Sequence, residues 1–288
     1  MTGTTAAGTP AHRFRVRQVL TGALLLVVLG FTALVGYWVA TGGTWFVVRT
    51  PSMGTAAPVG TLVWVKPVSP HDLHVGELIT FHPPGSKETY THRIHAMHAD
   101  GTITTKGQIT SPDPWRITPR NIVGAVQMRW WGIGWLVRAA PLLILGGLAV
   151  WFLATRLATV RWRQPVAVLG ASLVLSAGVI IYRPLTGAVA LSLAPHAGGA
   201  RASYVSTGLL SLRLSAPSGA HADMRPGQIG TVVSTHVRSD GKFPVTLQPH
   251  IPLWFWVAIV LACLLPALWT TVRGPLGTAP GPALQPAG

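Results

Sequence analysis

A hydroxyl suited to act as a nucleophile, Ser52, stands in Arg49-Thr50-Pro51-Ser52-Met53, and an imidazole suited to act as its base, His92, stands in Tyr90-Thr91-His92-Arg93-Ile94. A serine hydroxyl is a poor nucleophile until a base within about 2.6–3.2 Å takes its proton. The pair therefore suggests acyl transfer. Serines and histidines also recur without shared geometry, and a loop serine with a polar strand histidine fits the same spacing, so spacing alone leaves both readings open. His95 and His98 continue His92 at the interval that would align ligands on a helix. On a strand, residues three apart point to opposite faces, so no metal and no cofactor is expected.

The elements that must position these groups are short. Thr61–Val65, Glu77–Phe81, Thr89–Met97 and Thr102–Thr105 are β-rich runs separated by Gly, Pro and Asp. Asp100-Gly101 between the last two predicts a two-residue hairpin, with His92 on the strand before it and Lys106-Gly107 just past its partner. A second group of runs, Leu209–Leu214, Gly230–Val237 and Phe243–Leu247, has Arg225-Pro226-Gly227 and Asp240-Gly241-Lys242 as turns, with His196–Ser206 read as a linker. No chemical constellation stands out in that second group.

Composition places both groups beside a membrane. The 288 residues are 49% hydrophobic and only 10% charged, with a positive mean hydropathy, outside the range of ordinary soluble domains. The net charge of +15 comes from basic residues that gather at the ends of apolar segments rather than in aromatic-interleaved stripes, which argues against nucleic acid. The single cysteine, Cys263, excludes an intramolecular disulfide. Four apolar segments, 19–40, 136–153, 166–182 and 252–272, suit a hydrocarbon core of roughly 30 Å.

Arg13, Arg15 and Arg17 precede the first segment, and Arg156, Arg161 and Arg163 lie between the second and third. By the positive-inside rule, 1–18 is a cytoplasmic tail, 154–165 a cytoplasmic loop, and 41–135 and 183–251 lie outside. All seven acidic residues fall in those two outer segments. The Gly, Pro and Ala-rich tail, 273–288, reads as disordered. The Trp130-Trp131-Gly132-Ile133-Gly134-Trp135 cluster reads as an interfacial anchor. The expected fold class is thus a mixed α and β membrane protein: about four transmembrane helices, a small mostly-β extracytoplasmic domain, and a second β-rich outer segment.

Taken together, Thr50-Pro51-Ser52-Met53, Pro58-Val59-Gly60-Thr61-Leu62-Val63-Trp64-Val65, Thr91-His92-Arg93-Ile94, Thr105-Lys106-Gly107, Asp113 and Val123-Gly124, following an N-terminal anchor, resemble type I signal peptidase. More narrowly they resemble the archaeal and endoplasmic-reticulum class, also found in Gram-positive bacteria, in which a histidine replaces the catalytic lysine. The resemblance covers about residues 15–150. It implies Ser52 as nucleophile, His92 as general base, Asp113 as the acid that orients His92, and the Thr50 hydroxyl as an oxyanion donor beside the Ser52 N–H. Asp113 in Ser-Pro-Asp-Pro also fits a backbone-capping turn residue, and Thr50 also fits a packed strand residue.

Three departures accompany the resemblance. Ser-Met-x-Pro becomes Ser52-Met53-Gly54-Thr55, the residue before the serine is Pro51 rather than a small one, and Lys-Gly-Asp becomes Lys106-Gly107-Gln108. Proline fixes its own φ and biases Thr50 towards extended geometry. Gln108 can share hydrogen bonds but supplies no charge.

The resemblance implies a cell-membrane, multi-pass serine endopeptidase that removes signal peptides from exported preproteins at the outer face. Its expected partners are those signal peptides, the lipid bilayer and the export machinery, with no nucleic acid. The rival expectation is a catalytically inactive relative that binds signal peptides or an envelope partner. A channel or transporter is disfavoured because the apolar segments lack intramembrane charges.

Overall fold

The computed structural model describes residues 35–196, 199–234 and 244–258, together with isolated positions between 22 and 33 and Leu261. The chain divides into two compact units. One comprises Met1–Phe46, Val63–Gly107 and Ser111–Arg129; the other comprises Val47–Leu62, Gln108–Thr110 and Trp130–Gly288.

The first unit is built on β1 (Thr44–Val47), β2 (Leu62–Lys66), β3 (Leu78–Phe81), β4 (Tyr90–Met97), β5 (Ile103–Lys106), β6 (Pro112–Ile117) and β7 (Ile122–Trp130). They form one sheet in the order β1-β2-β7-β3-β4-β5-β6. The β-rich runs of the sequence correspond to β2 through β5. β6 lies outside that expectation because Pro112 and Pro114 read as turn residues. It forms at a sheet edge, where a missing N–H does not interrupt a ladder between two neighbours.

The turn between β4 and β5 differs from the two-residue hairpin expected at Asp100-Gly101. His98 N–H donates to Thr102 O at 2.9 Å and Gly101 N–H to His98 O at 3.0 Å, giving a three-residue loop with Gly101 at φ 78°. Asp100 Oδ1 draws the loop round by accepting from both the N–H and the hydroxyl of Thr102, at 3.0 and 2.7 Å. Those hydrogen bonds also hold its carboxyl below the usual carboxylate range. The local side-chain cap thus favours the longer loop with glycine in the left-handed position.

The core of this unit is Leu73, Ile79, Phe81, Ile94, Ile103, Ile117 and Ala125, with Val68, Tyr90, Trp115 and Ile122 packed against it. Alternation along the strands directs Ile79 and Phe81 of β3, Ile94 of β4, Ile103 of β5 and Ile117 of β6 to one face. Glycine is required at 124, where a Cβ would lie 2.6 Å from the Lys66 carbonyl carbon.

In the second unit, two helices, Ile133–Phe152 and Arg163–Tyr182, pack on each other. A Cβ on Gly146 would meet Val174 Cγ2 at 2.7 Å, and one on Gly170 would meet Val150 Cγ2 at 2.7 Å. This reciprocal glycine-to-valine fit is the small-residue packing common between helices in lipid. Continued to Leu157 by a π turn, the first of them joins the second as the two helices, among the described residues, that are long and apolar enough to cross a membrane. Leu145, Leu148, Trp151, Leu169, Leu173 and Ile180 are exposed on them. The second helix starts at Arg163, three residues earlier than the sequence suggested. The described residues of the first apolar segment are helical, as are 253–258. Residues 259–260 and 262–272 of the fourth segment, and the tail, lie outside the described residues.

The same unit contains a β module of two three-stranded sheets. One has the order β12-β9-β8, from β8 (Ala188–His196), β9 (Gly199–Ser206) and β12 (Ile229–Ser234). The other has the order β11-β10-β13, from β10 (Leu212–Ser215), β11 (His221–Met224) and β13 (Thr246–Pro249). Ala202, Leu212, Leu214, Ala216, Met224 and Val232 form its core.

The expected linker His196–Ser206 is instead largely β9, the central strand of its sheet, paired from Ala200 to Val205 with β12. Its Ser, Ala and Gly content conceals a strand because small side chains at 202 and 206 are what a thin core admits, both being buried. The strand expected at Phe243–Leu247 runs instead as Thr246–Pro249, because Leu212–Ser215 pairs with those residues. The turn read at Asp240-Gly241-Lys242 lies outside the described residues.

Arg213 donates to both carboxylate oxygens of Asp223, Nε to Oδ1 at 2.6 Å and an Nη to Oδ2 at 2.8 Å, which lowers the Asp223 pKa. A depressed folded-state pKa contributes stability above the unfolded value and loses it as pH falls through the folded value. We expect thermal stability of the module to fall on acidification below the usual carboxylate range. Asp223→Asn should reduce that acid-side loss, measured by melting midpoint against pH.

Candidate active site

Ser52 is carried on a closed loop. Val48 N–H donates to Thr61 O and Gly60 N–H to Val48 O, both at 2.9 Å, so that the residues between them leave and return at one point. Within the loop Met53, Ala57 and Val59 turn inward and are buried. Pro58-Val59-Gly60-Thr61 closes it as a turn, with Thr61 N–H on Pro58 O at 3.0 Å, the Thr61 hydroxyl on the same oxygen at 2.7 Å, and Gly60 at φ 84°. Gly60 admits no side chain because the Trp135 ring covers it.

Ser52 itself lies in a single 3₁₀ turn, Pro51–Met53. The proline occupies the first helical position, where its missing N–H would have been unpaired and its fixed φ suits the turn. Thr50 is extended, φ −113° and ψ 151°, the geometry that a following proline demands. Gly54 ends the turn at φ 49°, donating its N–H to Pro51 O at 2.8 Å. Glycine at 54, just before the departure at Thr55, has a backbone reason: a residue with a Cβ would be strained there and would press on Ile109 Cγ2 at 2.7 Å. Ile109 N–H donates to Ser52 O at 3.1 Å, fixing the peptide after the serine. The Thr50 and Ser52 hydroxyl oxygens are 3.3 Å apart.

His92 lies in the other unit. It faces the core side of the sheet from β4, opposite Ile79 of β3, and is only 4% exposed. The Tyr90 and Phe81 rings stand edge-on to the imidazole with centroids 5.8 and 6.1 Å away. Desolvation, together with the Glu88 carboxylate to which its hydroxyl donates, raises the Tyr90 pKa. His92 Nδ1 is 2.7 Å from Asp113 Oδ2, and the Thr105 hydroxyl donates to the same oxygen at 2.6 Å.

Those three residues come from β4, β5 and β6, so three neighbouring strands converge on one carboxylate oxygen. Asp113 is on β6 rather than in a turn, with its side chain 10% exposed. Because an ionised carboxylate only accepts, the short contact places a proton on His92 Nδ1, which in the neutral imidazole leaves the lone pair on Nε2. That is the tautomer a general base needs.

The sequence reading missed Thr105. It stands in the quoted Thr105-Lys106-Gly107 stretch, but nothing in a β-branched run distinguishes a hydroxyl that packs from one that donates. Its register opposite Ile94 carries it to the core side, where it is fully buried. Gln108 is exposed in the second unit, with its Cγ beside Gly54. His95 is exposed, and His98 Nε2 lies 2.7 Å from the Thr104 hydroxyl. Among the described residues no group of three His, Cys, Asp or Glu side chains is arranged to hold a metal ion.

No protein-family model matches the chain, and no curated protein matches it.

Thr105→Val keeps the shape of the side chain but deprives a buried carboxylate of one donor. We expect a loss of about 1–3 kcal/mol in stability, read by chemical denaturation. The His92 Nδ1 proton resonance should shift upfield in the same variant as the shared oxygen moves. An unchanged resonance would mean that Thr105 does not help to hold the pair.

Proposed function

We propose that the chain is a membrane-bound serine endopeptidase of the signal-peptidase type, multi-pass in the cell membrane with its β domains outside, cleaving signal peptides from exported preproteins. The observation that supports this reading best is the buried His92–Asp113 pair at 2.7 Å, a histidine whose tautomer is set by a carboxylate. The serine of the same motif set stands on a proline-initiated turn two residues from a second hydroxyl.

In the proposed reaction the Ser52 hydroxyl attacks the scissile carbonyl carbon and passes its proton to His92 Nε2. Asp113 stabilises the imidazolium through Nδ1–H. The Ser52 N–H and the Thr50 hydroxyl donate to the oxyanion, and Pro51, lacking an N–H, adds nothing there. Collapse of the tetrahedral species breaks the C–N bond as His92 gives the proton to the departing amine. Water, deprotonated by His92, then releases the acyl group from Ser52.

The membrane reading rests on the two apolar helices together with the apolar segments at 19–40 and 252–272. A signal peptide leaves the bilayer in extended form and can add as a strand to a sheet edge, with small residues in shallow apolar pockets. β6 offers an edge short of N–H groups at Pro112 and Pro114, which leaves β1 the better edge for such pairing.

The test is cleavage of a membrane-inserted preprotein by the purified chain. Wild type should cut after a small residue, while Ser52→Ala and His92→Ala should abolish turnover. Asp113→Asn should lower kcat by roughly 10⁴-fold, as loss of a triad carboxylate does. A folded wild-type chain that leaves several preproteins intact and forms no acyl-enzyme would overturn the proposal.

A further inference from the structure

The β module built from β8 to β13 has no constellation of its own, yet one of its turns meets the loop that carries Ser52. Arg225-Pro226-Gly227-Gln228 is a tight turn with Gln228 N–H on Arg225 O at 2.9 Å and Gly227 at φ 76°. Proline second and glycine third is the composition of a type II turn. The turn is tied to the end of β9 by Gly227 N–H on Ser206 O at 2.9 Å and Ser206 N–H on Gln228 O at 3.1 Å. Its approach strand ends in Met224, fully buried in the module core. The Gln228 side-chain oxygen accepts the Arg225 N–H at 3.1 Å, so the turn is held at both ends.

Gly227 packs backbone to backbone on Gly54. A Cβ at 227 would overlap the Gly54 carbonyl oxygen, lie 2.6 Å from its carbon and 2.9 Å from Thr55 N. A Cβ at 54 would in turn lie 3.4 Å from Gly227 O. Both glycines have positive φ, and the Gly54 backbone excludes a side chain from 227. Gly54 is one residue before Thr55, which stands where the signal-peptidase pattern has the proline of Ser-Met-x-Pro. Where that pattern stiffens the turn with proline, this chain has Thr55, preceded by a glycine that a second structural element covers.

We propose that the β8–β13 module is a brace for the nucleophile turn, with Gly227 as the positioning residue that holds Gly54 and, through it, Ser52. The proposal rests on the reading of Ser52 as nucleophile. Its physical basis is that a 3₁₀ turn of three residues has little stability of its own. A displacement of about 1 Å at a reacting group can cost about 10²-fold in rate.

The test compares Gly227→Ala with Gly219→Ala in the full-length chain in proteoliposomes. Gly219 also has positive φ, 83°, but open space around it, so it carries the backbone strain without the contact. Both variants should melt lower than wild type. Only Gly227→Ala should reduce kcat on a membrane-inserted preprotein, by about 10²-fold, with KM nearly unchanged. Only it should speed hydrogen exchange at the amides of Gly54 and Ala56, which donate to Pro51 O and Met53 O.

If Gly227→Ala does not fold, Gln228→Ala removes the bond to Arg225 N–H and should move both readouts the same way, less far. Equal kcat and equal exchange in the Gly227 and Gly219 variants would overturn the brace. Should the wild type prove inactive, exchange at Gly54 still decides it: faster in Gly227→Ala supports the brace, unchanged overturns it, whatever becomes of the peptidase reading.

Discussion

The feature that most constrains the first unit is a single carboxylate oxygen shared by two donors on the apolar side of a sheet. Taking a charge out of water costs several kcal/mol unless hydrogen bonds replace the lost solvation. Asp113 Oδ2 meets that demand with His92 Nδ1–H and the Thr105 hydroxyl. The three residues must therefore arrive from β4, β5 and β6 in the observed register, since a one-residue slip of any strand would send its side chain to the other face. Ile94, Ile103 and Ile117, buried on the same three strands, demand the same register for hydrophobic reasons. Polar and apolar requirements thus agree, and a strand with two prolines is retained at the edge because it delivers Asp113.

The Ser52 loop meets a different constraint. It is too short to have a core of its own, so its order derives from backbone bonds at its neck, from three buried side chains, and from glycines that let other segments press against it. Trp135 closes on Gly60, Ile109 on Gly54, and the turn at Gly227 on the Gly54 carbonyl. A backbone held by close backbone neighbours is stiff without being intrinsically stable. This accounts for the occurrence of glycine, ordinarily a source of flexibility, at 54, 60 and 227.

The proposed chemistry would draw on both constraints. One produces an imidazole of defined tautomer, the other a hydroxyl on a restrained turn, and acyl transfer needs both. The β module then acquires a reason to exist that its own sequence does not suggest, because what it contributes is a turn rather than a reactive group.

Much of this was legible in the chain itself. The four β-rich runs between 61 and 105, both apolar helices, the extended geometry of Thr50 before proline and the turn at Arg225-Pro226-Gly227 follow from local preferences, which act over a few residues. His92 and Ser52 were visible as residue types suited to acyl transfer. The sequence could not reveal that Asp113 stands on a strand, that Thr105 donates to it, that residues 199–206 form a central strand, or that Gly227 rests on Gly54. Each of these depends on a partner distant in the chain: an edge that tolerates prolines, a register that turns a threonine inward, flanking strands that accept small side chains, a backbone that leaves no room for a Cβ. Local preference determined which segments form strands and helices, and tertiary packing decided which of their side chains meet, because only packing sets the desolvation that makes a buried carboxylate seek two donors.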